Sequence, residues 1–227
     1  MIIKLKGRLL LFFLLALIML LDGCGSSKEE KTGIKVGVSV YDTHDTFVSE
    51  LMGEFNEYVA NKADESGITI SVDIRNAAGS QTSQNSDVED MVEDGCDILC
   101  VNLVDRTAPT VIIDLAEQKN IPVIFFNREP VEEDLERWDH LYYVGADAEE
   151  SGILQGEIAA RAFEENPELD LNGDGKIQYL MLEGESGHQD AIVRTEASVS
   201  TFVREGFKVE KLKSIIANWD RVQASTK

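Results

Sequence analysis

Short apolar runs along this chain alternate with longer segments in which apolar residues recur every three or four positions. The short runs lie at residues 34–41, 68–74, 98–103, 122–126, 177–182 and 207–212. The helical spacing lies between them, at residues 48–59, 88–92, 111–116, 153–163 and 191–202. This alternation is typical of βαβ units, so the chain is predicted to form parallel sheets covered by helices. The run at 122–126 is nearly unbroken, which predicts a strand buried on both faces.

The pattern divides into two series at Gly145. We predict an N-terminal α/β domain over residues 34–145 and part of a second α/β domain over residues 146–227. In wound α/β sheets, ligands bind beyond the carboxyl ends of the strands. The residues that directly follow each predicted strand are therefore the candidates for function.

The first residues predict export from the cell. A cationic segment precedes an apolar run over residues 9–21, and a small residue and Cys24 follow. This order is that of a secretory signal peptide over residues 1–23. It also resembles a bacterial lipobox, in which the cysteine is lipidated, although Asp22 departs from that pattern and a transmembrane anchor remains the alternative. Two acyl chains on Cys24 would give stable anchoring at the outer face of the cell membrane, with residues 24–33 as a flexible tether.

Composition narrows the function classes. The 227-residue chain carries a formal charge of −21, which predicts a solvated acidic surface and disfavours nucleic acid as a partner. An enzyme is not expected, because the three histidines lack the spacing of a metal or serine triad and no phosphate-binding or dinucleotide motif is present. Cys96 and Cys100 lack the second pair that a zinc site needs, so two thiols are favoured, with a disulfide as the alternative.

Distinctive polar segments follow the predicted strands in a fixed succession. They are Tyr41 to Phe47, Asn102 to Asp105, Phe125 to Pro130, Tyr142 to Gly145, Asp170 to Gln178 and Gly187 to Arg194. In this order they resemble the galactose/glucose-binding proteins of bacterial sugar ABC transporters, a family of type I periplasmic binding proteins. The resemblance extends from about Ile34 to the end of the chain.

The resemblance implies two wound parallel-sheet α/β domains that are joined by a hinge of three crossover strands and close on a hexose. The residues at the matching positions are Asp45, Phe47 and Asn102 in the first domain, and His188, Asp190, Arg194 and Trp219 in the second. Their chemistry suits a sugar. Carboxylates accept hydroxyl hydrogens, amide and guanidinium groups donate, and aromatic rings pack on the C–H faces of the pyranose.

Each of these residues also has a purely structural interpretation. Asp45 stands where a helix N-cap is expected. Phe47 can pack as a hydrophobic staple, and Trp219 can belong to a core. His188 and Asp190 can open the next helix, with Arg194 as the partner of Asp190 one turn later. Taken singly, these interpretations are the more frequent ones, but the joint match to one family favours the sugar site.

The segment from Asp170 to Ile177 matches the first eight positions of an EF-hand calcium loop, in which oxygen ligands alternate along the chain and a glycine permits the sharp turn. Gln178 occupies the ninth position. The candidate ligands are Asp170, Asn172, Asp174, Lys176 through its backbone carbonyl, and Gln178. The twelfth position is Met181 instead of a bidentate glutamate. The resemblance implies a structural calcium ion, completed by a glutamate from a later part of the chain. A polar turn without metal is the alternative.

The predicted function is extracellular binding of a galactose- or glucose-type hexose and its delivery to an ABC permease. A chemoreceptor or sensor can read the same liganded form, so that role stays open. A transcription regulator of this fold would need a DNA-binding segment before the first strand, where the signal peptide and tether stand. The resemblance also implies further βα units after Lys227, so the second domain is expected to be incomplete and the chain to be a fragment.

Overall fold

The computed structural model describes residues 33–227. The predicted signal peptide, the candidate lipid attachment site Cys24 and all of the predicted tether except Gly33 lie outside the described residues. Within the described part of the chain, no helix combines the length and the apolar character that crossing a membrane requires.

Five parallel strands form the first sheet, in the order β2-β1-β3-β4-β5. The strands are β1 (Gly33–Val40), β2 (Thr69–Asn76), β3 (Ile98–Val101), β4 (Val123–Phe126) and β5 (Leu141–Val144). The helices that connect them are α1 (Thr46–Ser66), α2 (Gln81–Glu93), α3 (Thr110–Lys119) and the short α4 (Glu132–Leu135). In the sheet, β2 lies on one side of β1 and β3 lies on the other side. This reversal leaves a crevice beyond the carboxyl ends of β1 and β3.

A second parallel sheet pairs β6 (Ile177–Glu183) with β7 (Val209–Ile216). Its helices are α5 (Ala148–Glu165), α6 (Gln189–Arg204) and the short α7 (Arg221–Thr226). We call residues 33–144 the first lobe and residues 148–227 the second lobe. The α/β class and the parallel pairing are as predicted, whereas the exact division at Gly145 stays a prediction.

The core of the first lobe lies on both faces of its sheet. One cluster joins β3 and β4 to α2 and α3 through residues such as Leu99, Ile112 and Phe125, and all three are fully buried. Burying a side chain of this size stabilises the fold by about 1.5–3 kcal/mol. The prediction that the strand at 122–126 is buried on both faces is wrong. Val123 and Phe125 are buried, but Ile124 and Phe126 are only half-buried, because their face borders a cavity.

Several strand boundaries differ from the sequence pattern, by one to four residues. β3 ends at Val101 instead of residue 103, because the chain turns at Asn102, whose side chain hydrogen-bonds to neighbouring loops. β7 begins at Val209 instead of residue 207. Phe207 stacks on Phe202 of α6 with ring centroids 4.6 Å apart, which holds it in the turn before the strand.

Helices α5 and α6 pack so closely that two glycines of α5 face the backbone of α6. A Cβ added at Gly156 would lie 2.6 Å from the carbonyl oxygen of Ser198 and 2.7 Å from Cβ of Thr201. Real Cβ contacts are longer than this, so any side chain at Gly156 has to push the helices apart.

We therefore expect Gly156→Ala to lower the free energy of unfolding by about 1–3 kcal/mol, through overpacking. Gly53→Ala is the matched control, since Gly53 also lies inside a helix but a Cβ there meets nothing within 4 Å. It should instead raise the free energy of unfolding, by about 0.5–1 kcal/mol. Urea denaturation followed by circular dichroism measures both. Equal changes in the two variants would contradict the close approach of α5 and α6.

Candidate functional site

A cavity of about 890 Å³ has walls from both lobes. It extends from the carboxyl ends of the strands along one face of the first sheet, where it meets Val38, Cys100 and Ile124. Its volume lies in the range of small-molecule sites, about 300–1,000 Å³. The apolar part of the wall includes Ile124 and Phe126 of β4 and the first turns of α1. We call it the cleft cavity.

Most of the predicted sugar-contacting residues lie on the wall of this one cavity. They are Asp45 and Phe47 from the first lobe, and His188, Asp190, Arg194 and Trp219 from the second. These side chains come from separate segments of the chain and include two carboxylates, a guanidinium group and two large aromatic rings. The structure therefore brings together six of the seven residues that the resemblance implied.

Asp45 combines both roles that the sequence left open. Its Oδ1 accepts a hydrogen bond from the backbone N–H of Val48 at 3.1 Å, so it is the N-cap of α1. It also lines the cavity, and the hydroxyl of Tyr41 donates to its Oδ2. Phe47 is 59% exposed, which excludes core packing as its role within the described chain.

His188 and Asp190 open helix α6. The ring Nδ1 of His188 accepts the backbone N–H of Asp190 at 3.2 Å, and both residues are buried. Nη2 of Arg194 lies 3.5 Å from Oδ2 of Asp190, one turn further along. Within residues 33–227, Nε of Arg194 is buried and has no hydrogen-bond partner. Such a donor is costly to leave unsatisfied.

Trp219 is held in an unusual backbone conformation. Trp219 and Asn218 have φ values of 57° and 52°, in the left-handed region that non-glycine residues rarely adopt. The indole ring meets His188 edge-to-face with centroids 5.8 Å apart. It also lies over Gly184, where any Cβ would overlap the ring. Sequence reasoning missed Gly184, although its place directly after β6 was an available signal.

Asn102 is the predicted residue that the structure does not bring to the cavity wall. It is fully buried, and its Nδ2 donates to the carbonyl of Phe126 at 3.2 Å and to Oδ1 of Asn127 at 3.0 Å. Its Oδ1 accepts the backbone N–H of Tyr41 at 3.4 Å. The structure thus places Asn102 behind the wall, and its contact with a ligand stays a prediction. Its polar atoms already bond to the loops that Tyr41 and Asn127 begin.

The cavity wall also contains polar residues that the sequence did not single out: Tyr41, Glu50, Asn127 and Arg221. Burial, followed by the hydrogen bond to Asp45, raises the pKa of Tyr41. Its phenol therefore stays protonated at neutral pH. Cys100 is a free thiol on the same wall, and burial raises its pKa to about 11.

The loop at 170–178 is held together by hydrogen bonds to its own acidic side chains. The carboxylate of Asp170 accepts the backbone N–H groups of Gly173 and Gly175 at 3.1 and 2.9 Å. Asn172 and Gln178 both donate to Oδ2 of Asp174, at 3.1 Å each. Among the described residues, however, no group of three or more His, Cys, Asp or Glu side chains converges as a metal site would. These oxygens fit calcium in part and need a further carboxylate from outside the loop.

Comparison with known proteins identifies the class. Residues 36–227 match the family described as the periplasmic binding protein domain. The chain belongs to the periplasmic binding protein family. Among curated proteins it is similar to the D-galactose/methyl-galactoside binding periplasmic protein MglB of Haemophilus influenzae. The identity is 37% over 195 residues, which cover 85% of this chain and 57% of MglB. The resemblance stated from the sequence is thereby confirmed.

Solved structures give the same result. An ABC transporter solute-binding protein from Bacillus halodurans with bound myo-inositol has a TM-score of 0.67 at 26% identity, covering 86% of this chain and 61% of that one. The fructose-binding periplasmic domain of a hybrid two-component system has a TM-score of 0.64 at 25% identity, with 84% and 56% covered. The chain thus spans less than two thirds of the length of these relatives.

The environment of His188 predicts a pH dependence of stability. Burial, followed by the charge of Arg128, lowers the pKa of His188 from its ordinary value of 6.5. Acceptance of a backbone N–H by Nδ1 also requires the neutral ring. The unfolded chain therefore binds a proton at this residue more readily than the folded chain does. The contribution of His188 to the free energy of unfolding is full above about pH 6.5 and falls as the pH drops toward the lowered pKa.

We expect the free energy of unfolding to decrease more steeply between about pH 7.5 and 5.5 in the wild type than in His188→Asn. Urea denaturation at a series of pH values measures the two slopes. His140→Asn is the control, because His140 is exposed and forms no ion pair within residues 33–227. Its slope should match that of the wild type. Parallel slopes for wild type and His188→Asn would refute the assignment.

Proposed function

We propose that this chain binds a hexose of the galactose or glucose type in the cleft cavity, outside the cell. The whole protein would deliver the sugar to an ABC permease without chemical turnover. The observation that carries the proposal is the convergence of Asp45 and Phe47 with His188, Asp190, Arg194 and Trp219 around one cavity.

The wall chemistry matches a ring of hydroxyl groups. Asp45 and Asp190 can each accept hydrogen bonds from two sugar hydroxyl groups. Arg194, which lies in the same lobe as Asp190, can donate hydrogen bonds to sugar hydroxyl oxygens. Each hydrogen bond to a charged group contributes roughly 1.5–3 kcal/mol. Phe47 and Trp219, which are 59% and 40% exposed, offer apolar faces for the C–H groups of the sugar.

The relatives support a polyhydroxylated ligand. MglB is named for D-galactose and methyl-galactoside, and the two solved structures are described with myo-inositol and as fructose-binding. All are compact molecules with several neighbouring hydroxyl groups. The greater similarity to MglB favours a galactose-type hexose among them.

Asp45→Asn tests the site without removing the helix cap, because asparagine caps helices as well as aspartate does. We expect it to raise the dissociation constant for galactose or glucose by about 10-fold or more, through loss of charge-assisted hydrogen bonds. Titration calorimetry with a panel of monosaccharides measures the effect. The matched control is Asp147→Asn, since Asp147 caps α5 in the same way and does not line the cavity.

Asp147→Asn should leave the dissociation constant unchanged. Absence of heat from every monosaccharide with the wild-type protein would sink the proposed function. Equal weakening by both substitutions would mean that Asp45 acts only as a cap.

A sensor role is the second candidate. Its support is the similarity to the fructose-binding periplasmic domain of a hybrid two-component system. In such a role the same liganded form would be recognised by a chemoreceptor or a sensor instead of a permease. Both roles require the sugar site, so the titration above tests what they share.

The N-terminal residues support attachment to the cell membrane. The order of cationic residues, apolar run, small residue and Cys24 favours cleavage and lipidation at Cys24, which would keep the sugar site at the extracellular face.

We also propose that the loop at 170–178 holds a structural calcium ion. Support comes from the alternating oxygens of Asp170, Asn172 and Asp174 and from the two backbone N–H groups that hold the Asp170 carboxylate in the loop. Lys176 would contribute its carbonyl and Gln178 its side-chain oxygen. A bound cation would fasten this loop to the start of β6.

We expect Asp174→Asn to weaken Ca²⁺ binding by about 10-fold, because affinity in such loops follows the number of charged ligands. Calorimetric titration with Ca²⁺ gives the affinity, and thermal denaturation with and without a chelator gives the effect on stability. Asp139→Asn, at an exposed turn in the first lobe, is the control. If Ca²⁺ produces neither heat nor a change in the denaturation temperature of the wild type, this chain holds no calcium ion at residues 170–178.

A further inference from the structure

Arg128 is a buried cation directly behind the cleft cavity. It follows β4, and its side chain is only 9% exposed. Its guanidinium carbon lies 3.7 Å from the centre of the Tyr41 ring, and its Nη1 donates to the carbonyl of Val104 at 2.9 Å. Its Nη2 forms an ion pair with Glu185. Arg128 does not line the cavity, so it does not contact a ligand there directly.

Arg128 contacts residues of both lobes. On the first-lobe side, the hydroxyl of Tyr41 donates to Asp45 on the cavity wall. On the second-lobe side, Glu185 belongs to the turn that precedes α6, and its carbonyl accepts the backbone N–H of His188 at 3.2 Å. One guanidinium group therefore contacts both of the segments that present binding side chains.

We propose that Arg128 is a positioning residue that couples the first-lobe and second-lobe halves of the sugar site. This inference rests on the proposed function. When Arg128 pairs with Glu185, the turn that carries His188 and Asp190 is held toward Tyr41 and Asp45. If the lobes separate, Arg128 loses its anionic partner while Tyr41 and Val104 still cover part of the guanidinium group. Removing one partner of a largely buried ion pair is unfavourable. The pair therefore favours the arrangement in which both halves face one ligand.

The chemistry of the guanidinium group suits this role better than an ammonium would. A planar cation can stack on the Tyr41 ring and still direct separate N–H groups to Val104 and Glu185. A lysine at this position would keep the charge but lose the stacked, forked geometry. Arg128→Lys is thus expected to retain part of the coupling.

The test compares Arg128→Met, Arg128→Lys and Glu185→Gln with the wild-type protein. Arg137→Met is the matched control, because Arg137 forms an ion pair with Asp114 in the first lobe and does not line the cavity. Nitroxide labels introduced as unnatural amino acids at the exposed positions Glu57 and Glu205 report the separation of the lobes by pulsed electron paramagnetic resonance. Calorimetry reports the dissociation constant for the tightest-binding monosaccharide.

We expect Arg128→Met and Glu185→Gln to broaden and lengthen the distance distribution of the sugar-free protein. Both should also raise the dissociation constant by about 10-fold, a usual size for coupling between sites. Arg128→Lys should fall between these variants and the wild type, and Arg137→Met should change neither quantity. The double variant Arg128→Met/Glu185→Gln should bind the sugar no more weakly than Arg128→Met alone, because the two residues form one interaction.

An unchanged distance distribution in Glu185→Gln would overturn the proposal, as would additive losses in the double variant. If Arg128→Met fails to fold, Glu185→Gln still decides, because its side chain is 39% exposed and tolerates the change. If the wild type binds no monosaccharide, the proposed function fails. The distance measurement would then still test the coupling of the lobes, since it needs no ligand.

Discussion

The side-chain amide of Asn102 is the interaction on which the first-lobe half of the site depends. It bonds to the backbone at Tyr41, to the carbonyl of Phe126 and to the side chain of Asn127, and so ties the ends of three neighbouring strands together. Parallel strands deliver their carboxyl ends to one edge of a sheet, but the loops that follow would diverge without such a tie. A buried amide with all its partners in place keeps these loops in register.

Helix capping has the same organising effect on the binding side chains. Asp45 and His188 are the N-caps of α1 and α6, and both line the cavity. A cap residue has non-helical backbone angles and a side chain fixed by the first turn of its helix. The two halves of the site are therefore placed by bonds that also start the helices. This link explains why the structural and functional interpretations of these residues are compatible.

The sequence predicted the elements because they depend on local patterns, and apolar periodicity located β1 and α1. The family resemblance implied Asp45, Phe47 and His188, and the structure places all three on the wall of the cleft cavity. The sequence did not predict which polar residues lie on the cavity wall and which lie behind it. An asparagine after a strand is the same residue whether its amide meets a sugar or a backbone carbonyl, so the place of Asn102 behind the wall depends on turn geometry. Arg128 escaped notice for the same reason, since its partners lie far away along the chain.

Asp45 both caps α1 and lines the cavity, and this combination limits how ligand preference can diversify during evolution. Short side chains with an acceptor oxygen are the most favourable caps, so most substitutions at this position would weaken the start of α1. Phe47 is not the cap of α1, and it packs in no core cluster among the described residues. Substitutions of Phe47 therefore cost the fold little. New specificities in descendants of this scaffold should therefore arise first at the exposed aromatic positions, with the capping residues retained.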